Sequence, residues 1–285
     1  MTSLQKVIKY GAMAFGFYLA FVILSAIVFG VISVFGIFVG IDAYKTYTTK
    51  EEVVMTSFEE VYENVNDLDI KLDVSKLSIK IGNEFKVQVN NPTNGFYCKM
   101  DGDSLKIRDQ RNNINIFDFS DEVIPEIIIY IPDGKKLNDV ELKAGVSETY
   151  IEKLNTNEAN IETGVGKFII ADIEADIANI SGGAGEVSVE NSVINELKLE
   201  AGVGKFVINS EIKEEAKLEA GVGQLIVNLK GNKEDYKVKT NTGIGNVLVN
   251  NQKVGDNQIV GAGNRYIKVE AGVGEVKINF SEDNI

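Results

Sequence analysis

Residues 199–209, LEAGVGKFVIN, set glycines directly ahead of a lysine, a combination by which a backbone loop wraps a phosphate. A P-loop needs Gly-x-x-x-x-Gly-Lys-Ser/Thr, and here Leu199 stands in place of the first glycine and Phe206 in place of the hydroxyl residue. Sister copies of the stretch replace Lys205 by Glu186, Gln224, Asn246 and Glu275, so the lysine is not a fixed part of it. Gly182-Gly183-Ala184-Gly185-Glu186-Val187 approaches a calcium-binding repeat, but a valine replaces the final aspartate and the period is not nine. Asn179-Ile180-Ser181 is a formal glycosylation sequon. Each of these reads as structural.

Histidine and tryptophan are absent and Cys98 is the sole cysteine, which excludes an internal disulfide, a Cys/His zinc set and His-dependent nucleophilic machinery. Cys98, in Phe96-Tyr97-Cys98, reads as a small core residue. Carboxylate catalysis would call for acids or arginines gathered at irregular positions. The only arginines are Arg108, Arg111 and Arg265, and the outward acids follow the repeat described next. The expectation is no catalytic residue, no cofactor and no metal.

The stretch is one copy of a repeat. Gly-x-Gly recurs at 164–166, 183–185, 202–204, 221–223, 243–245 and 272–274, with a degenerate copy at Gly145-Val146-Ser147. The first glycines at 145, 164, 183, 202 and 221 are 19 residues apart, after which the steps lengthen to 22 and 29. A fixed period of this size predicts a solenoid in which one unit stacks on the next. Before each first glycine the apolar residues alternate, as in Leu197, Leu199 and Ala201, which predicts a strand with that face buried. The middle residue (Val146, Val165, Ala184, Val203, Val222, Ile244, Val273) is expected to continue the inward set. The phase then slips by one at the second glycine, and Phe206/Ile208 and their equivalents resume it. Each rung is thus two short strands joined at a glycine corner.

Outward columns fit in-register stacking. One alternates Glu148, Lys167, Glu186, Lys205, and another runs Lys198, Lys217, Lys239, Lys268 beside Glu200, Glu219, Asn241, Glu270, each lysine able to lean on an acid two residues along. The second reads as a solvated, self-compensating face. Ahead of the repeats, the runs at 68–82, 85–91, 104–109 and 124–134 read as strands without a glycine corner that close the first rung. SEDNI reads as a charged stop at the other end. The insertions after Asn228 and Asn250, the latter including 251–263, are the expected seats of specificity, because they leave the repeat without helping the core.

The N-terminal stretch is of another kind. Residues 10–41 carry no charge and exceed the roughly 20 apolar residues of a transmembrane helix. They predict one span contacting the lipid bilayer, with residues 1–9 cytoplasmic by virtue of Lys6 and Lys9. Residues 42–64 read as a juxtamembrane spacer with a short helix around 51–62, 65–139 as the capping part of the solenoid and 140–285 as its regular repeats. Gly36 and Gly40 match the small-xxx-small pattern and predict weak homodimer contact between spans. Residues 42–285 hold 27 basic against 42 acidic groups, which excludes nucleic acid as a partner.

LDIKLDVSKLSIKIG, DGDSLKIR, IIIYIPDGKKLNDVELKAGVS and the AGVGKFVIN-type repeats, over roughly residues 65–280, resemble bacterial membrane-anchored proteins with a β-strand-repeat "putative adhesin" domain of otherwise unknown function, which include cell-envelope stress proteins. The resemblance implies an all-β, parallel β-solenoid outside the membrane and no catalytic residues to carry over. The expected function is a membrane-anchored, extracytoplasmic, non-enzymatic surface module that meets an envelope protein or cell-wall glycan. The alternatives are a membrane-tethered envelope-stress signalling component and, less favoured, a β-helix carbohydrate-active enzyme.

Overall fold

The computed structural model describes residues 57–93, 95–109 and 124–281. Contacts divide the chain into units 1–51 and 52–285, and all described residues belong to the second. The span at 10–41, with Gly36 and Gly40, lies outside the described residues, and among those described no helix is long and apolar enough to cross a membrane.

The second unit is an all-β stack of parallel rungs. β2 (Asp67–Gly82), β7 (Leu137–Ile151), β8 (Leu154–Ile170) and β9 (Ile173–Lys230) follow one another, β9 running through three rungs without a break. β7 and β8 pair in register, Val140 with Ala159 and Leu142 with Ile161, as do β8 and β9, Ile161 with Ile180. The register step is the 19-residue period of the sequence. Residues five, three and one before each corner, and four and six after it, form the core: Leu197, Leu199, Ala201, Phe206 and Ile208 are all buried.

The corner shows why glycine recurs. A Cβ at Gly202 would lie 2.1 Å from the carbonyl oxygen of Gly183 one rung below, and one at Gly204 2.0 Å from that of Gly185. Gly204 also has φ of 137°, a region closed to side chains. The phase slip at the second glycine is therefore real. The expected facing of the middle residue is corrected: Val222, Val273 and Ile244 are 38, 49 and 75 % exposed. The inward alternation stops already at the first glycine: these three project from the outside of the corner, and Val146, Val165, Ala184 and Val203 are half-buried there.

β2 is itself a rung, inside the stretch read as a cap. It pairs with β7 across the corner, Leu72 with Ala144 and Val74 with Val146. Asp73 therefore holds the place that glycine holds elsewhere. A side chain is tolerated there because β5 (Ser104–Asp109) and β6 (Glu126–Pro132), on the far side of β2, reach only Leu72 and Lys76 and set no described strand against Asp73. Both ends are closed by antiparallel strands. β3 (Phe85–Asn90) covers β6, β1 (Phe58–Tyr62) covers β3 and β4 (Phe96–Asp101) covers β5. β1 corrects the C-terminal part of the helix expected at 51–62, of which 51–56 lie outside the described residues: Phe58–Tyr62 complete a sheet edge, with Phe58 edge-on to Phe96 at 5.1 Å. Cys98 lies on β4, half-buried against the core, where burial pushes its thiol up to about 11.

The C-terminal end departs from sequence order. β14 (Arg265–Ser281), the last strand, lies directly on β9, and β10 (Tyr236–Thr242) and β11 (Asn246–Val249) lie outside it. β12 (Gln252–Val254) pairs with β11 and β13 (Gln258–Val260) with β10 to cover the outer edge. The insertion at 251–263 does help the core, since it buries Val254 and closes the stack. The strand that leads into SEDNI is interior to the sheet, and residues 282–285 of that expected stop lie outside the described residues.

Candidate functional site

The first arm of each rung, before the corner, turns its polar face outward, and consecutive rungs align these side chains in columns. Two contiguous hollows follow from this, sharing Ser181 and Glu200. The upper, of about 530 Å³, is lined by Asp139, Glu141, Lys143, Asn160, Glu162 and Lys198 among others. The lower, of about 600 Å³, has a floor of small residues, including Ala201, Gly202, Ala220, Gly221, Ala271 and Gly272, and a rim of Glu200, Glu219, Glu270 and Asp256. Among the described residues no basic side chain lines the lower hollow.

The charges reverse along this trough. At its upper end the acid comes first in the strand and the lysine second: Lys143 is 3.2 Å from Glu141 and 3.7 Å from Glu162, and Lys71 is 3.4 Å from Glu141. At the lower end the lysine comes first: Lys198 lies 2.7 Å from Glu200, and Lys217 and Lys268 lie 2.5 Å from Glu219 and Glu270. The lean of Lys198, Lys217 and Lys268 on the acid two residues along is thus as expected from the sequence, whereas Lys239 has Asn241 in that place. Hydrogen bonds from Lys198 and Lys268 hold the carboxyls of Glu200 and Glu270 below the ordinary value. Between the two ends an amide bridge replaces charge, Asn179 donating to Asn160 at 2.8 Å.

Asp139 is perturbed the other way. Partial burial raises its carboxyl, and the like charges of Glu158 and Asp67, its ladder neighbours on either side, add to this. The alternating column behaves differently from the lysine column: Glu148, Lys167 and Glu186 stand opposite one another in register, yet among the described residues no ion pair closes between them. A third line of side chains lies on the second arm, where Asn279 donates to Asn228 at 2.8 Å, Asn228 to Asn209 and Asn209 to Glu190. These amides satisfy one another along the stack and stiffen it.

The residues singled out for chemistry are dispersed. Lys205 is exposed on the second arm, away from both hollows, and Val187 of the calcium-like stretch is buried. Asn179 of the sequon is engaged with Asn160. Arg108 is buried against the carboxylate and carbonyl of Asp69, Arg265 binds Glu211 at 3.2 Å, and Arg111 lies outside the described residues. Among the described residues no three acids or cysteines converge as metal ligands would. The insertion after Asn250 does send one residue to the trough: Asp256 accepts the Thr242 amide at 3.0 Å and stands on the lower rim. That contact has no sequence signal, because it depends on the pairing of β13 with β10.

The chain matches the family model Toastrack DUF4097 over residues 65–259, and it belongs to that family. β14 lies beyond the matched residues. Among solved structures it is similar to a "putative adhesin" from Bacteroides fragilis, at 16 % identity, 81 % of this chain, 100 % of that one and a TM-score of 0.47. It is also similar to a "putative cell adhesion protein" from Clostridium sporogenes, at 17 %, 79 %, 99 % and 0.38. A third similar structure is a "putative lipid binding protein" from Parabacteroides distasonis, at 14 %, 79 %, 96 % and 0.31. No curated protein matches the chain.

Proposed function

We propose that this member of the family is a non-enzymatic interaction module, held outside the cytoplasmic membrane by a helix at 10–41, that meets an envelope protein or cell-wall glycan through the trough on its first arm. The observation that supports this reading is the trough itself. Seven strands' worth of outward side chains are arrayed in line, and the lower rim presents Glu200, Glu219, Glu270 and Asp256 over a floor that no large side chain obstructs. A stacked, rigid face of this kind recognises extended partners by repetition of weak polar contacts. Its ion pairs are exposed to solvent and individually weak, so a partner exchanges them at little cost.

The experiment is capture from detergent-solubilised envelope with the full chain and with a Glu200→Gln, Glu219→Gln, Glu270→Gln variant. The expected result is a partner retained by the parent chain and lost by the variant, with urea denaturation showing that the variant is still folded. Equal retention by the two chains removes the trough as the binding face.

A further inference from the structure

β14 is last in the chain and interior in the sheet. On one side it pairs with β9 from Tyr266–Glu215 to Ser281–Lys230, and on the other it carries β10 and β11. Among the described residues β10 and β11 have no ladder with β9, so their backbone joins the sheet through β14, while the Tyr236 hydroxyl donates to the Lys230 carbonyl of β9 at 2.6 Å. Two connectors must then cross. β7 to β8 and β8 to β9 take two residues each, 152–153 and 171–172, whereas β9 to β10 takes five, 231–235, and steps over the β14 rung. The return from β13 passes against this connector so closely that a Cβ at Gly263 would lie 2.0 Å from the carbonyl carbon of Asp235.

A short hairpin decides the order. Val249 faces Gln252 with Asn250 and Asn251 between them at φ of 46° and 61°, the two-residue turn with both centres left-handed. That turn lays β12 on one edge of β11 and leaves β14 only the other. Yet β10 and β11 are made first, and they carry the columns that β14 carries. Val238, Thr240, Val247 and Val249 stand in register with Ile267, Val269, Val276 and Ile278, which in turn face Ala216, Leu218, Leu225 and Val227. Before β14 exists, β10–β11 is the nearest later repeat whose columns match the β9 edge, yet the native order gives that edge to β14.

We propose that the β9 edge is a strand-exchange port and that its second occupant is β14 of another copy of this chain, giving a reciprocal dimer in which each β14 lies between β9 and β10 of its partner. Every contact of the slot is the same whichever copy supplies the strand: Gly272 over the Gly221 carbonyl, Asn279 to Asn228, Gln224 to Glu275 at 3.2 Å and Arg265 to Glu211. Only the hinge at 261–264, Gly-Ala-Gly-Asn, has to change path, the low-cost route by which chains exchange an element.

The test uses the full chain in detergent with Cys98→Ser, Lys217→Cys and Lys268→Cys. Positions 217 and 268 are ladder partners on the outward face, within disulfide reach at a strand spacing of about 4.8 Å. The protein is held near its unfolding midpoint at several concentrations, cooled and oxidised. A link within one chain leaves a monomer on a non-reducing gel, whereas the reciprocal dimer gives a covalent dimer. The control pair, Lys198→Cys with Lys217→Cys, lies wholly in β9. The expected result is a covalent dimer fraction that rises with concentration for 217/268 and stays at background for 198/217. Monomer at every concentration for both pairs, or equal dimer for both, overturns the proposal.

Discussion

The rungs from β7 through β9 and the unit from β10 to β14 share the same inward columns and the same glycine corners, yet they are assembled by different rules. In the first region each rung lies on its predecessor, two-residue connectors allow nothing else, and the repeat period is the register. In the second, the connectors are longer and cross, and a two-Asn hairpin places the last rung inside the one before it. Equivalent repeats leave the order of stacking undetermined by their core residues. The turns choose it.

The sharpest contrast lies at the corner. Gly204→Val combines a forbidden φ with a collision against the Gly185 carbonyl, and a loss of about 4 kcal/mol or more in urea denaturation is expected. Ser147→Ala, at the corresponding place in β7 where φ is not positive, removes only the hydrogen bond that Thr149 donates to Ser147 at 3.2 Å and costs about 1 kcal/mol. If the two variants lose equal stability, backbone approach is not what selects glycine.

The next effect separates the two regions directly. Gly263→Val blocks the crossing of the connectors, so hydrogen exchange across 236–281 accelerates by two orders of magnitude or more, about 3 kcal/mol of local stability, while 137–189 keeps its protection. Uniform acceleration would mean that the C-terminal unit does not open by itself. Smaller again is Asn228→Ala, which interrupts the amide line between Asn209 and Asn279 and is expected to cost about 1 kcal/mol in the same denaturation assay.

The least effect distinguishes the ends of the trough by the sign of its pH dependence. Glu200 and Glu270 have carboxyls lowered by their lysines, so their contribution is present above the ordinary glutamate value of 4.5 and disappears as pH falls through the lower folded value. Asp139 is raised, so it costs stability at neutral pH and the cost is relieved on protonation. Asp139→Asn should therefore stabilise the protein at pH 7 by a few tenths of a kcal/mol, since the group is largely solvated, and not at pH 3. Glu270→Gln should weaken it slightly at pH 7 and leave it unchanged at pH 3. Thermal melts at the two pH values read both signs.

Much of this architecture was legible in the sequence, and particular residues show where legibility stopped. The runs at 68–82, 85–91, 104–109 and 124–134 correspond to β2, β3, β5 and β6, because alternation over five or more residues is a strong strand signal. The middle residue of the corner was misread because valine there is apolar for conformational reasons: it is extended backbone between two glycines, not core. Asp73 hid a full rung by lacking glycine, which a corner without a neighbouring strand does not need. The step of 22 residues held the trace of the rung that is stepped over, three residues more than the period. The trough's charge columns were legible as a compensated face, but Asp256 reaches its rim through a topology that no local pattern encodes.

β1 and β14 stand in opposite mechanical situations. β1 is a five-residue edge strand paired on one side only, and it is the first strand among the described residues. β14 is gripped on both sides along nearly its whole length. A load on the N-terminal end therefore meets a handful of bonds before β1 gives way. A load on the C-terminal end must shear two ladders at once, so under tension the protein yields first at Phe58–Tyr62 and keeps its stack.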